Sequence, residues 1–535
     1  MAKSAAFALL SFLSLGSLSV VRAGKVLLLP IPEDNSPIYI LRHIYDELTS
    51  RGHDAYMLVA PEDVPKMTAR DKGDYIAHMT FNSHTADLEA VASIAVKSQE
   101  ELMDKVHAIW HAQCDALLSD TDAMAKLQAD QPDLIMGVTI FPCTALLAAK
   151  LDVPYISLWP AGLVGNSFMA PLWAGSGRDF HISPRLSIVP EMFLEASYPM
   201  TFLQRMQNAW AYTMRQLHEY YTMRPMMHAL QRKHGLDLTS AAARRLEMLH
   251  IINADMAMEQ PRPLPPYVKL VGPIMPRPAA ALPPDLQEFV EGSGDAGIVL
   301  ISLGTIAKFG REEIQAIAAA LSRLPTRTLW KLTKQEVAAA GGLEALNLTD
   351  NIKVVNWVPQ NDVLGHSRTR VFLSHCGANG VNEAAYHGVP VVAMPFYGDQ
   401  PMNARKLISK GMAVSLPRKG LTTEGVYEAF TRVLAGDSIR AAAAKVSKRI
   451  RSRKRTPLQE TADWVEHVLD SDGEPYLQLP DDDMSFLVRN SLDVIAAYLG
   501  IGVVALIAGV STAYWVVGGA IHKIKGLSGW EKKLV

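Results

Sequence analysis

Cysteine is scarce: three in 535 residues, at positions 114, 143 and 376. An odd number so widely spaced predicts neither a disulfide framework nor a metal cluster. Net charge is also scarce, with 52 basic against 54 acidic side chains and a formal charge of -2. No long basic stretch occurs, which excludes nucleic acid as the main partner. Short-period repeats and low-complexity tracts are missing as well. Asn347-Leu348-Thr349 is the sole glycosylation sequon, because Asn35-Ser36-Pro37 has no Ser or Thr in its third position. That sequon is usable only in a secretory lumen.

What is present is length and apolar content. A chain of 535 residues exceeds one ordinary core, so two domains are expected. Residues 1–23 pair a single Lys with an apolar, Ser-rich run and end in Val21-Arg22-Ala23. That pattern predicts a signal peptide cleaved near Gly24. From Val494 to Ile521 no residue is charged, and about 20 apolar residues suffice to span a bilayer. Asp481, Asp482 and Asp483 precede this run, whereas Lys523, Lys525, Lys532 and Lys533 follow it. The positive-inside rule therefore places residues 522–535 in the cytosol and the large domain in the lumen. The terminal Lys532-Lys533-Leu534-Val535 is similar to a dilysine retrieval signal of endoplasmic reticulum proteins. A single-pass type I protein of that membrane is the expectation.

"KVLLLPIP" from Lys25 is a continuous apolar run of the kind that forms a buried parallel strand. It leads into a helical pattern ending at Arg51-Gly52 and then into "DAYMLVAP". This opening predicts a doubly wound α/β domain over 24–285. Proline density from Val271 to Asp285 marks an interdomain linker. The strand–helix pattern restarts afterwards and defines a second α/β domain over 286–455, followed by helices and a juxtamembrane segment over 456–493. Within the second domain, "TRVFLS" runs into "HCGANGVNEA". A strand followed by a glycine-rich helix start presents unpaired amides and a positive helix end, which suit a diphosphate. His375 and Asn379 can donate to its oxygens, and Glu383 can accept from a ribose, as acidic residues do in dinucleotide sites.

Together with "NWVPQNDVLGH" before it and "PFYGDQPMNARKL" after it, this stretch closely resembles the signature of UDP-glycosyltransferases, specifically the membrane-bound animal UDP-glucuronosyltransferase type. "PRPLPP" around Arg262, "ISLGT" at 301–305 and the lysine tail extend the resemblance over essentially the whole chain. It implies the GT-B fold, two facing Rossmann-like α/β domains, with one C-terminal transmembrane helix. It further implies that Trp357 stacks on uracil with Gln360 beside the base. His375, Gly377, Asn379 and Gly380 would hold the diphosphate, with Ser302 and Thr305 at its border. Glu383 would hold the ribose, and Asp399 with Gln400 the sugar hydroxyls. Arg262 would pair with a glucuronate carboxylate, whereas Gln400 in place of His disfavours galactose. The UDP-sugar is a co-substrate rather than a cofactor. No metal is implied, because His375 and the helix ends can offset diphosphate charge. Further implied partners are the membrane and a small lipophilic acceptor, with Met, Trp and Phe between 159 and 227 as candidate lining. Homo- or hetero-oligomerisation is left open.

The same resemblance exposes a gap. The family's catalytic His lies fourteen residues before the Arg of the "RGH" element, which here is Pro37. Its partner Asp corresponds to Val138 in "GVTIFPC". Proline cannot accept a proton. Three readings stand: amine acceptors that need no base, another base among Glu33, Asp34 and His43, or a silent UDP-sugar-binding partner of active transferases. The expected reaction is inverting transfer of a hexosyl group from a UDP-sugar to the lipophilic acceptor, with glucuronic acid as the first expectation and UDP-glucose as the alternative donor.

Overall fold

The computed structural model describes residues 23–68, 76–83, 99–163, 186–192, 194, 196, 198–238, 246–304, 307–471, 473–477, 484, 486–489 and 491–531. The signal peptide, the triple-Asp segment, Thr305 and the terminal Lys pair lie outside the described residues. The chain forms two units, the first through Gln478 and the second from Leu479.

The first unit contains two parallel sheets. Strands β1 (Lys25–Leu29), β2 (Asp54–Val59), β3 (His78–Thr80), β4 (Leu134–Val138), β5 (Tyr155–Trp159), β6 (Glu247–Ile252) and β7 (Val268–Leu270) form one. Its order is β3-β2-β1-β4-β5-β6-β7, with β1 next to both β2 and β4. Strands β8 (Ile298–Ser302), β9 (Arg327–Lys331), β10 (Ile352–Val355), β11 (Thr369–Ser374), β12 (Val391–Ala393) and β13 (Ala413–Ser415) form the other, in the order β10-β9-β8-β11-β12-β13. Every strand pair is parallel, so helices cover both faces and the strands read as unbroken apolar runs. In β8, Leu300 joins the core on one face while Val299 and Ile301 join the core on the other. Each sheet reverses winding at its centre, between β1 and β4 and between β8 and β11. Such switch points open crevices at the carboxyl ends of strands.

Helix α1 (Asn35–Ser50) starts where the Asp34 side chain accepts from the Ser36 amide. It buries Ile38, Leu41, Ile44 and Leu48, and Gly52 beyond its end has φ 91°, a conformation that suits glycine. Helix α2 (Gln99–Ser119) lies in the same sheet's domain, and α3 (Ala378–His387) and α4 (Gln400–Ser409) follow β11 and β12. Helix α5 (Pro457–Asp470) returns to the first sheet's side and packs on α1. There Arg51 binds Asp463 at 2.8 Å and Glu466 at 3.0 Å.

One sequence expectation is corrected. Cys114 and Cys143 form a disulfide, with their Cα atoms 5.1 Å apart. The 29-residue separation hid the pairing, because only the packing of α2 against the segment after β4 brings the two together. Cys376 is a buried free thiol.

The second unit contains α6 (Leu492–Glu531). Its segment Leu492–Lys523 is long and apolar enough to cross a membrane and contains the 494–521 run. It fits a membrane anchor.

Candidate active site

Strand β11 delivers His375 to the switch point of the second sheet, one residue past Ser374. Cys376 turns the chain with φ 65°, and Gly377 caps α3 in extended conformation. Across from it, β8 ends at Ser302, whose hydroxyl accepts from the Gly304 amide at 3.4 Å. The imidazole of His375 is clamped between two glycines. A Cβ on Gly304 would lie 2.7 Å from its Cε1, and one on Gly377 would lie 2.5 Å from its Nε2. These glycines thus clear space for the His375 ring itself, a role beyond the diphosphate approach expected from sequence. Burial pulls the His375 pKa down to about 4, with the Lys331 charge adding to the effect and the Ser302 backbone opposing it. His375 is therefore neutral near pH 7 in the ligand-free cleft. In this state it offers hydrogen bonds, and the positive charge nearby is the ammonium of Lys331, which donates to the Gly304 carbonyl at 2.5 Å.

The cleft between the two sheets' carboxyl ends has a volume of about 440 Å³. Gly304, Gln360, His375, Gly377, Asn379, Gly380, Asp399 and Gln400 line one side of it. Asp34, Ser36, Pro37, Tyr39, Met103, Val106, Trp110, Ile140 and Trp159 line the other. Asn379 donates to the Ser36 hydroxyl at 2.8 Å, so one hydrogen bond already joins the two walls. Gln400 is buried, and its Oε1 accepts from the amides of Phe396 and Tyr397 at 2.9 and 3.2 Å, which shapes the loop ahead of α4. Asn403 donates to Asp399 at 2.7 Å and to the Cys376 carbonyl at 3.1 Å. That residue ties the Asp399-Gln400 loop to the His375 turn. Burial raises the Asp399 pKa, with Asn403 and Lys406 opposing.

Other predicted residues stand back from this cleft. Glu383 is buried beneath Gln360 and accepts from its amide at 2.5 Å; burial pushes its pKa up to about 7. Ser302 is buried at the end of β8. Trp357 is 51% exposed on the loop after β10 and is not among the cleft-lining residues. Arg262 is not brought to the cleft either. It lines a separate pocket of about 80 Å³ with Glu259 and Lys406, where Lys406 binds Glu259 at 2.7 Å. Val138 is buried at the end of β4, and Pro37 lines the cleft.

The apolar wall was only partly anticipated. Trp159 and Met192 fall in the expected 159–227 range and line the cleft, but Met103, Val106 and Trp110 come from α2. Their helical spacing was readable, yet a core-facing stripe has the same spacing. Residues 164–185 lie outside the described residues.

The family description "UDP-glucoronosyl and UDP-glucosyl transferase" matches residues 24–525. The 2-hydroxyacylsphingosine 1-beta-galactosyltransferase of Homo sapiens is 30% identical, over 96% of this chain and 92% of that protein. UDP-glucuronosyltransferase 2A1 of Mus musculus is 28% identical, over 92% and 93%. Among solved structures, the calicheamicin glycosyltransferase CalG4 aligns with TM-score 0.59 at 20% identity, covering 84% of this chain and 99% of its own. A UDP-glucose: anthocyanidin 3-O-glucosyltransferase in complex with UDP aligns with TM-score 0.58 at 18% identity, covering the same shares. At such identities the structural likeness establishes the fold.

Proposed function

Since the chain belongs to the UDP-glucoronosyl and UDP-glucosyl transferase family and is a UDP-sugar-dependent glycosyltransferase, we propose that it transfers a neutral hexose, glucose, with inversion to small lipophilic acceptors in the endoplasmic reticulum lumen. The observation that carries this reading is the lining of the cleft. One wall carries the His375 turn and the Asp399-Gln400 pair, and the facing wall is mostly apolar apart from Asp34, Asn35 and Ser36, as ligand pockets for lipophilic molecules are. No Lys or Arg stands among the described lining residues, whereas Asp34 and Asp399 both do. A glucuronate carboxylate placed beside Asp399 would meet like charge with no Lys or Arg among the described lining residues. The sequence-level preference for glucuronate rested on Arg262, which lines the other pocket. Gln400 keeps the reading with glucose rather than galactose.

Two observations support the lumen. The Cys114–Cys143 disulfide belongs to an oxidising compartment. The sequon residue Asn347 is exposed in a left-handed turn, open to a glycosylating enzyme. The test is UDP release by membranes carrying the protein, supplied with UDP-glucose, UDP-galactose or UDP-glucuronate against phenol and tertiary-amine acceptors. Turnover with UDP-glucose is expected. Turnover confined to UDP-glucuronate would overturn the neutral-sugar reading and direct attention back to Arg262. UDP binding without turnover for any pair would leave a silent binding subunit.

A further inference from the structure

We propose that Asp34 is a catalytic residue, the general base that takes the proton of a hydroxyl acceptor. This inference rests on the transferase reading above and supplies the step for which Pro37 and Val138 have no chemistry. Asp34 sits in the loop after β1, at the switch point of the first sheet, and lines the cleft opposite Asp399 and Gln400. An acceptor lying against the apolar wall would share that side of the cleft with Asp34 and face a sugar held by Asp399 and Gln400.

The start of α1 orients the carboxylate. Its Oδ1 accepts from the Ser36 amide at 3.2 Å as the cap of α1, and the Ser36 hydroxyl accepts from Asn379 at 2.8 Å. Its own amide donates to the Ile31 carbonyl at 3.3 Å. Glu33, just before it, adopts φ 63°, a left-handed conformation that a non-glycine residue holds only when its surroundings impose it. The imposing contact is Asp63, fully buried, which accepts from the Glu33 amide at 2.9 Å and from Lys66 at 2.6 Å. A short helical segment, Pro61–Met67, thus braces the turn that presents Asp34. Of the other sequence-stated bases, neither Glu33 nor His43 lines the cleft.

The groups facing Asp34 also tune it. Burial raises its pKa to about 6, with the Ser36 amide and Lys66 opposing and Asp63 and Asp399 adding. A base poised just below neutrality is ionised at physiological pH and still basic enough to accept a proton. In the step itself the acceptor oxygen attacks the anomeric carbon and its proton passes to the Asp34 carboxylate. The new oxygen–carbon bond forms as the bond to the diphosphate oxygen breaks, and UDP leaves with that electron pair. A tertiary amine has no proton to surrender before attack and makes no demand on Asp34.

Asp34→Asn separates this role from the structural one, because Asn caps helices as well as Asp does. With UDP-glucose as donor, kcat/KM for phenol acceptors should fall about 10²- to 10⁴-fold, the usual range for loss of a general base. The fall for tertiary amines should stay below about tenfold, since positioning rather than proton transfer governs them. UDP affinity by calorimetry should be unchanged, and the acidic limb of the phenol pH profile near 6 should vanish. Asp34→Glu should recover part of the phenol activity. Equal losses for phenols and amines, or undiminished phenol turnover, would overturn the proposal. So would wild-type protein that turns over amines alone, while leaving the transferase reading intact. Failure of the wild type to bind UDP would instead bring down the transferase reading itself.

Discussion

His375 makes the donor wall a pH-dependent surface. Its folded pKa of about 4 lies below the ordinary value of 6.5, so as pH falls the unfolded chain takes up a proton first. The stability this residue contributes is present above about pH 6.5 and is lost as pH falls towards about 4, by at most roughly 3 kcal/mol. Bound diphosphate reverses the bias, because two negative charges favour the imidazolium. UDP affinity should therefore strengthen between about pH 7 and pH 5, with proton uptake visible as a buffer-dependent heat in calorimetry. Replacing His375 with Ala should weaken UDP by about 10- to 100-fold, the size of one or two charge-assisted hydrogen bonds, and should flatten that pH dependence. Asp34 behaves in the opposite sense. It keeps its proton up to about pH 6 when folded, against an ordinary value of 3.8, so its share of stability is lost as pH rises through that window. Asp34→Asn should thus raise the melting temperature more near pH 7 than near pH 4, a gain in stability alongside a loss of function. That His375, Asn379, Asp399 and Gln400 gather at one cleft was legible in the sequence because the run that holds them resembles a family signature. The neutrality of His375 was not, since it depends on Gly304 and Lys331, which the sheet brings from strands before it.

At the scale of elements, the loops that leave β8 and β11 act as one clamp around an imidazole. Gly377→Ala or Gly304→Ala puts a methyl inside van der Waals distance of that ring, and at Gly304 it also strains a backbone with φ 74°. Either change should displace His375 and reduce UDP affinity about as much as removing it, while far-ultraviolet circular dichroism stays native. The Cys114–Cys143 bond closes a stretch of 29 residues that includes β4. Its replacement by a pair of serines should cost about 2–4 kcal/mol of unfolding free energy in a denaturant titration. The long strands and α1 could be read from sequence because parallel strands buried on both faces are continuous apolar runs and α1 carries its apolar stripe and terminating Gly. Strands of three residues such as β3, β7 and β13 show no such run. The disulfide was illegible for a different reason: residue spacing says nothing of which helices pack.

At the scale of the whole first unit, the proline-rich linker is anchored rather than loose. Arg277 within it binds Asp362 at 2.8 Å and its amide donates to Asn361 at 3.2 Å, a fixed course that composition alone does not show. Residues after the second sheet then come back through α5, where Arg51 meets Asp463 and Glu466 and Leu469 packs on Gly24. Arg51→Ala removes one partner from a half-buried cluster and should destabilise by about 1–3 kcal/mol, read as a lower melting temperature with unchanged UDP affinity. If the proposed lumenal placement holds, glycosidase treatment of protein from mammalian membranes should lower its apparent mass and Asn347→Gln should abolish the shift; a shift that survives Asn347→Gln would overturn the assignment of the glycan to this sequon. The return of α5 makes the second sheet an insertion: the chain lays down the first sheet, builds the whole of the second, and only then supplies the helix that finishes what it began. Cutting the gene at the linker would therefore yield not two halves but one domain missing its last piece and another carrying a stray one, and a nascent chain emerging from the ribosome cannot complete its first domain until its second has been made.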